Sequence, residues 1–237
     1  GNDGRGDSSE ASFPYYRDTD RLDQIKRTFD ALKSKAYTWI DAKQARRLLN
    51  TKTRLLKCDG QHAIMLIDYE EDNPYNIMTD FFSEPCRMKC KKYNRAQSPH
   101  DLFYSGLDTT FRDRRDYAFV NEYMWKNDMA CQLFRITVAR HIYTRFTSAT
   151  KRKVLDFSAG WGDRLIAAMS LGLDYTGVDP SVCMRGVYPR IIAALHESGE
   201  SPRPVVLHKG FEDTTAKEIA PGTFDMVFSS PPFFALE

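Results

Sequence analysis

The sequence predicts an α/β protein, with a parallel sheet flanked by helices in residues 151–237 and a mainly helical N-terminal region before it. Three observations carry that prediction. After Lys153, short apolar runs of strand length alternate with helical patterns, the order that builds βαβ units and a parallel sheet. The first run stops in a glycine turn, Gly160-Trp161-Gly162, directly before a helical pattern. The composition is that of a folded chain: 237 residues that are 42% hydrophobic, 13% aromatic and 28% charged, with only 13 Gly and 11 Pro. That length suits one to two domains, and the balance excludes a disordered, collagen-like or low-complexity protein.

Residues 1–12 are Gly/Asp/Ser-rich, without an apolar segment, and read as a flexible tail. In the N-terminal region, 13–150, Thr19 or Asp20 can cap a helix whose apolar residues Leu22, Ile25, Phe29 and Leu32 step by three and four. Asp41 can cap a second helix through Leu49. Ala63-Ile64-Met65-Leu66-Ile67 and Ile77-Met78-Thr79-Asp80-Phe81-Phe82 read as a pair of strands, with Asp72-Asn73-Pro74 as turn chemistry between them. Ser98-Pro99 is a helix-start pair. A long helix is expected over about Asp128 to Phe146, with Met129, Leu133, Ile136, Ala139, Ile142, Tyr143 and Phe146 turned to a core.

Four strands are expected in the C-terminal part: Val154–Phe157, Tyr175–Asp179, Pro204–His208 and Phe224–Phe228. Helices lie between the first three, at Arg164–Met169 and Arg190–Leu195. The last residue, Glu237, follows closely on the fourth strand, so the expectation is that the C-terminal strands of this sheet are absent from the chain.

Asp156-Phe157-Ser158-Ala159-Gly160-Trp161-Gly162-Asp163 lies between a strand and a helix. Glycines there permit a tight turn and a close approach of backbone to ligand. Asp179 ends the next strand, 17 residues after Gly162, where an acidic side chain can hold the hydroxyls of a ribose. Asp179-Pro180-Ser181 is also good helix-capping chemistry, and the two roles are compatible. A dinucleotide fingerprint fits poorly, because its third glycine would fall at Leu165, and no Walker pattern follows.

This segment resembles motif I of the class I S-adenosylmethionine-dependent methyltransferases, and the expected fold is therefore their Rossmann-like parallel sheet. The resemblance implies that Asp156 faces the methionine ammonium, that the Ser158-Ala159-Gly160 and Gly162 backbone passes beneath the cofactor, and that Asp179 binds its ribose. Glu212 or Asp213 would meet the adenine amino group, the two remaining open. Ser230-Pro231-Pro232-Phe233 is similar to the (Asp/Asn/Ser)-Pro-Pro-(Tyr/Phe/Trp) motif of the amino-methyltransferases, which act on exocyclic amines of bases or on protein amides. The resemblance covers about Lys153 to Glu237, a third of the chain. The residue types suit the chemistry. An aryl amine is a poor nucleophile because its lone pair is delocalised into the ring. The Ser230 hydroxyl oxygen and the Pro231 carbonyl can accept its two N–H groups and turn the lone pair outward, with two prolines stiffening the carbonyl. Phe233 can stack on a displaced base.

Ser in the first position is the form common among cytosine-N4 enzymes, whereas adenine-N6 enzymes more often carry Asp or Asn. The expectation is thus a methyltransferase acting on cytosine N4 or adenine N6 of DNA. The alternatives are an RNA or protein-amide methyltransferase, or a non-catalytic scaffold keeping the fold. With 34 Lys+Arg against 32 Asp+Glu the net charge is only +2, so a nucleic-acid partner must show in local patches. Arg87, Lys89, Lys91, Lys92 and Arg95, with Tyr93 among them, form such a patch, and Tyr104, Arg112, Arg114 and Arg115 follow. The alternative is a solvated loop balancing Glu70, Glu71 and Asp72. Asn121–Trp125 resembles a segment that touches the methionine end of the cofactor, although Trp125 is as well explained by a core.

Cysteines 58, 86, 90, 131 and 183 are odd in number and unevenly spaced, which argues against a secreted disulfide framework and for free thiols. A zinc site from Cys58, Cys86, Cys90 and His100 lacks CxxC pairs, so no metal is expected. Histidines 62, 100, 141, 196 and 208 form no H-E-x-x-H, and no G-x-S-x-G occurs. No run of 18 apolar residues is present, so the expectation is an intracellular protein without a membrane partner. The oligomeric state is not written in the sequence.

Overall fold

The structure is a computed structural model that describes residues 19–35, 39–41, 53–57, 63–68, 75–90, 98, 131, 133–197, 199 and 202–231. It has mixed α/β character, with a parallel four-stranded sheet, helices packed on it and a small antiparallel sheet.

Helix α1 (Thr19–Lys33) is amphipathic: Ile25, Phe29 and Leu32 are buried, while Asp23, Gln24, Lys26, Arg27 and Asp30 face water. Thr19 and Asp20 already lie within this helix, so neither is its cap. The small sheet is made of β1 (Trp39–Asp41), β2 (Thr53–Lys57) and β3 (Ala63–Asp68), with β3 central and both neighbours antiparallel to it. Its partners correct the expected strand pair. Ala63–Ile67 is indeed strand, but Ile77–Phe82 lies within helix α2 (Asn76–Lys89). Met78, Phe82 and Cys86 recur every four residues and are buried on one face, which a helix satisfies and an extended chain would split between faces. Asp41 is in a strand, and 42–49 lies outside the described residues.

Helix α3 spans Ile136–Phe146, the second half of the long helix expected; Cys131 and Leu133–Arg135 are not helical. Arg140 on α3 is buried and ties three helices together. Its Nη2 donates to the Lys33 carbonyl at 2.8 Å, at the end of α1, and its Nε donates to Ser170 Oγ at 3.0 Å, at the end of the helix that follows the glycine turn. The terminal carbonyl of α1 thereby gains a charged donor.

The parallel sheet contains β4 (Lys153–Asp156), β5 (Asp174–Val178), β6 (Val205–Leu207) and β7 (Met226–Val227) in the order β6-β5-β4-β7. The four expected strands are present, shifted by one or two residues at their ends. Helix α4 (Asp163–Met169) is buried along its whole length, packed against β5 and covered by α2, α3 and α5 (Val187–Leu195). That is why Leu-Ile-Ala-Ala-Met carries no polar stripe. β4 has β5 on one side and β7 on the other, so the chain reverses its direction of travel across the sheet between β6 and β7. The crevice at the carboxyl ends of β4 and β7 is the switch point where open α/β sheets receive ligands. No helix among the described residues is long and apolar enough to cross a membrane.

One covalent link differs from the free thiols expected. Cys86 on α2 is bonded to Cys183, with Cα atoms 5.8 Å apart across 97 residues of sequence. Only the packing of α2 beside the segment after β5 brings them within the reach a disulfide requires. Cys90 and Cys131 are thiols. The Cys90 thiol is held down to about 7, first by a hydrogen bond with Cys131 and also by the Arg87 charge, against the effect of its burial.

Candidate active site

The glycine turn leaves β4 at Asp156 and enters α4 at Asp163. Gly160 and Gly162 have φ of 61° and 98°, the left-handed region that glycine adopts without cost. The two differ in surroundings. A Cβ on Gly160 would meet nothing nearer than 3.8 Å, so the turn is open on that side, whereas one on Gly162 would stand 2.7 Å from Ile191 Cδ1 of α5.

Asp179 fixes this turn from the end of β5. The Gly160 N–H donates to Asp179 Oδ2 at 2.8 Å, and the Ser181 N–H donates to Oδ1 at 2.8 Å. The same carboxylate therefore caps its own loop and supports the neighbouring turn. The Ala159 N–H donates to the Val178 carbonyl and the Asp179 N–H to the Leu207 carbonyl, at 2.9 and 3.0 Å, which ties the ends of β4, β5 and β6 in sequence. The Tyr188 hydroxyl of α5 donates to the Gly160 carbonyl. Burial, and the carboxylate of Asp179 next to it, push that phenol far above its usual range, so it remains a donor.

Asp156 has no exposed surface. Its Oδ2 accepts from Arg164 Nε at 2.7 Å and from the Tyr175 hydroxyl at 2.8 Å; its Oδ1 accepts from the Ser229 hydroxyl at 2.7 Å and the Ser158 N–H at 3.2 Å. Arg164 also donates to the Ser158 carbonyl. Burial opposes the charge of this guanidinium, but the adjacent Asp156 outweighs it and the arginine pKa is raised. The Tyr175 phenol is raised by burial first and by Asp156 second.

Ser230 and Pro231 lie in the loop after β7, the strand that neighbours β4; Ser230 is partly buried and Pro231 exposed. Pro232 and Phe233 lie outside the described residues. On the far side, Glu212 and Asp213 form an exposed single turn after β6 (Phe211–Asp213). Glu212 folds back over Gly210, where a Cβ would strike its carboxylate at 2.5 Å. Phe211 reaches Phe157 at the end of β4, with ring centroids 5.4 Å apart. Ser158, Ala159, Gly160, Gly162, Asp179 and the 211–213 turn thus line one edge of the sheet.

The basic stretch is only partly accounted for. Arg87 is 3% exposed; it is ion-paired with Asp80, and its Nη1 donates to the Cys131 carbonyl at 3.1 Å. A guanidinium so enclosed supports the fold and is not presented to a phosphate. Lys89 is exposed; Lys91, Lys92, Tyr93 and Arg95 lie outside the described residues, as do Tyr104, Arg112, Arg114, Arg115 and Asn121–Trp125. Among the described residues no grouping of His, Cys, Asp or Glu could hold a metal ion.

Four residues that the structure brings into the candidate site were not singled out in the sequence: Arg164, Tyr175, Tyr188 and Ser229. Arg164 carried a usable signal, as a cation leading the apolar run Leu165–Met169 needs a partner when it is buried. Tyr175, within a strand-length run, and Tyr188, between Val187 and Pro189, read as ordinary core residues. Ser229 is indistinguishable in sequence from Ser230.

No model of a known protein family matches the chain. A comparison with curated proteins returns no match either.

Proposed function

We propose that the chain is an S-adenosylmethionine-dependent methyltransferase of Rossmann-like fold acting on an exocyclic amino group of a nucleic-acid base, cytosine N4 or adenine N6 of DNA first. The observation that carries this reading is the placement of two loops on one sheet edge. The glycine turn follows β4, and the loop carrying Ser230-Pro231 follows its neighbour β7, on the two sides of the switch point. A group held over the first loop stands next to whatever the second loop orients.

The residues present fit the cofactor at its nucleoside end. Gly160 leaves the turn open, and Asp179 combines a buried carboxylate with a position at the strand terminus. Its two oxygens each accept one backbone N–H, and a carboxylate oxygen has room for a second donor, which ribose hydroxyls supply. In this reading Ser158, Ala159 and Gly162 form the floor, and Glu212 or Asp213, on the exposed turn after β6, would meet the adenine amine. The methionine end fits less well, since the Asp156 carboxylate is enclosed and already partnered. When bound, S-adenosylmethionine supplies an electrophilic methyl on sulfonium. The chain's part is to accept the two amine N–H groups on Ser230 Oγ and the Pro231 carbonyl, aiming the lone pair, with Phe233 stacking on the base. Proton loss can follow transfer, so no strong base is required.

The test is calorimetric titration of S-adenosylmethionine into wild type and Asp179→Ala, with thermal unfolding alongside. Transfer of labelled methyl to DNA and to RNA is then measured for wild type and Ser230→Ala. Micromolar binding that weakens at least about tenfold in Asp179→Ala is expected. Ser230→Ala should lower turnover by about 100-fold, the scale of a misaligned reacting pair, with cofactor affinity retained. Absence of cofactor binding by the wild type would overturn the reading and leave the scaffold alternative; transfer to RNA alone would replace the DNA substrate.

A further inference from the structure

We propose that Asp156 and Ser229 are positioning residues: the carboxylate that ends β4 holds the loop after β7 in place through the Ser229 hydroxyl, and thereby sets where Ser230 and Pro231 stand. This rests on the function proposed above, and it assigns Asp156 to the substrate loop instead of to the cofactor's ammonium.

The acceptor capacity of Asp156 is used up by the protein itself. Two carboxylate oxygens offer about four lone-pair sites, and the Arg164 Nε, the Tyr175 and Ser229 hydroxyls and the Ser158 N–H occupy them at 2.7 to 3.2 Å. With no exposed surface, the group has no face to give a ligand. Its partners come from α4, β5 and the loop after β7, which are 8, 19 and 73 residues distant in sequence. One buried charge therefore ties the three neighbouring strands β5, β4 and β7 at the edge where chemistry would occur. Arg164 balances that charge, so the hub is a hydrogen-bonded ion pair and not an isolated carboxylate.

The loop after β7 needs such a hold. The ladder between β4 and β7 ends with Val227 opposite Leu155, and the Phe228 N–H adds one further bond to the Leu155 carbonyl at 2.9 Å. Beyond it the backbone has little to offer, as Pro231 and Pro232 carry no N–H. Phe228 is clamped by aromatic rings, edge-on to Phe134 and Tyr143 at 5.7 and 5.4 Å. Arg164 lies 5.2 Å over the Phe134 ring, so the same arginine supports both clamps. The next side chain, Ser229, is bonded to Asp156. Residues 228 and 229 are thus each pinned by partners of their own, immediately before the two groups that would orient the amine.

The decisive variants are Ser229→Ala and Ser229→Thr in the full chain, with two readouts. Hydrogen–deuterium exchange of the peptide spanning residues 224–231 is followed without cofactor or substrate. Methyl transfer is measured as kcat against KM, with cofactor Kd determined separately. Ser229→Ala is expected to speed exchange of that peptide and to lower kcat at least about tenfold, with cofactor Kd within twofold of wild type. Ser229→Thr, which keeps Oγ, should recover most of both. Unchanged exchange together with full kcat in Ser229→Ala would overturn the proposal. So would equal loss of kcat, cofactor affinity and thermal stability, which marks a general structural role. The exchange readout is independent of catalysis: a wild type inactive on every substrate refutes the proposed function, while a loop indifferent to Ser229 refutes the hub.

Discussion

Asp163 and His141 are both buried, and burial moves their titrations in opposite directions. Asp163 opens α4, accepts the Thr79 hydroxyl at 2.6 Å and lies near Asp80, Arg87 and Arg164. Burial pushes its carboxyl from 3.8 up to about 7, a rise only partly opposed by Thr79 and the two arginines. His141, on α3 beside Arg140, is pushed from 6.5 down to about 4, by burial first and by the Arg140 charge second. Between 3.8 and 7 the folded chain binds the Asp163 proton that the unfolded chain releases, so this group's contribution to stability falls as pH rises. For His141 the unfolded chain binds the extra proton, and stability is lost as pH falls from 6.5 toward 4. Asp163→Asn mimics the protonated acid and keeps an acceptor for Thr79. It should match wild type near pH 4 and exceed it by about 1–3 kcal/mol above pH 7. His141→Leu should gain relative to wild type as pH falls below 6.5. Urea unfolding across that range, read as differences from wild type, checks both signs. Neither shift is legible in the sequence, where Asp163 reads as part of a turn and His141 as one residue of a helix.

At the scale of elements, the glycine turn and the helix laid across it form one unit. Gly160 and Gly162 share a left-handed backbone, but only Gly162 faces a neighbour, the Ile191 side chain of α5. Gly160→Ala should therefore lose only the backbone term, about 1 kcal/mol. Gly162→Ala adds a steric conflict inside a packed core and should cost about 2–4 kcal/mol. The double variant Gly162→Ala/Ile191→Ala separates the two causes. If the clash is real, its loss is smaller than the sum of the singles, since the substituted residues are in contact. Thermal unfolding of the four proteins measures this. The turn was legible because its glycines stand between an apolar run and a helical pattern, and local chemistry alone dictates both. Helix α2 was not. Ile77-Met78 and Phe81-Phe82 give apolar pairs that a short strand also explains, and the decisive spacing, Met78 to Phe82 to Cys86, runs on past the point where the apolar run stops. The same holds for Asp156. Its place at a strand end was readable, but its partners Tyr175 and Ser229 reach it only through the sheet order.

Across the whole molecule, α2 joins the N-terminal region to the parallel sheet. It packs on α1, α4 and α5, its Thr79 bonds Asp163, and its Cys86 is bonded to Cys183 beyond Asp179. A cross-link over 97 residues removes much of the freedom of the unfolded chain, and such bonds contribute about 2–4 kcal/mol. Cys183 follows by four residues the carboxylate that supports Gly160, so the link also limits how far the β5 loop can swing from the glycine turn. Cys183→Ser should lower the unfolding temperature by several degrees, and a phosphine reductant should lower that of wild type to the same value without affecting the variant. Peptide mapping under non-reducing conditions should recover residues 86 and 183 in one linked fragment. An intracellular setting, expected from the unpaired pattern of five cysteines, keeps thiols reduced. Mapping chains recovered from cells with thiols blocked at lysis, beside chains exposed to air, therefore also reports the redox surroundings in which the fold operates. A linked fragment in both samples fits an oxidising location or a bond buried beyond the reach of cellular thiols. One found only after air exposure means that α2 holds to the sheet by packing alone in the cell, and that Cys183→Ser costs nothing there.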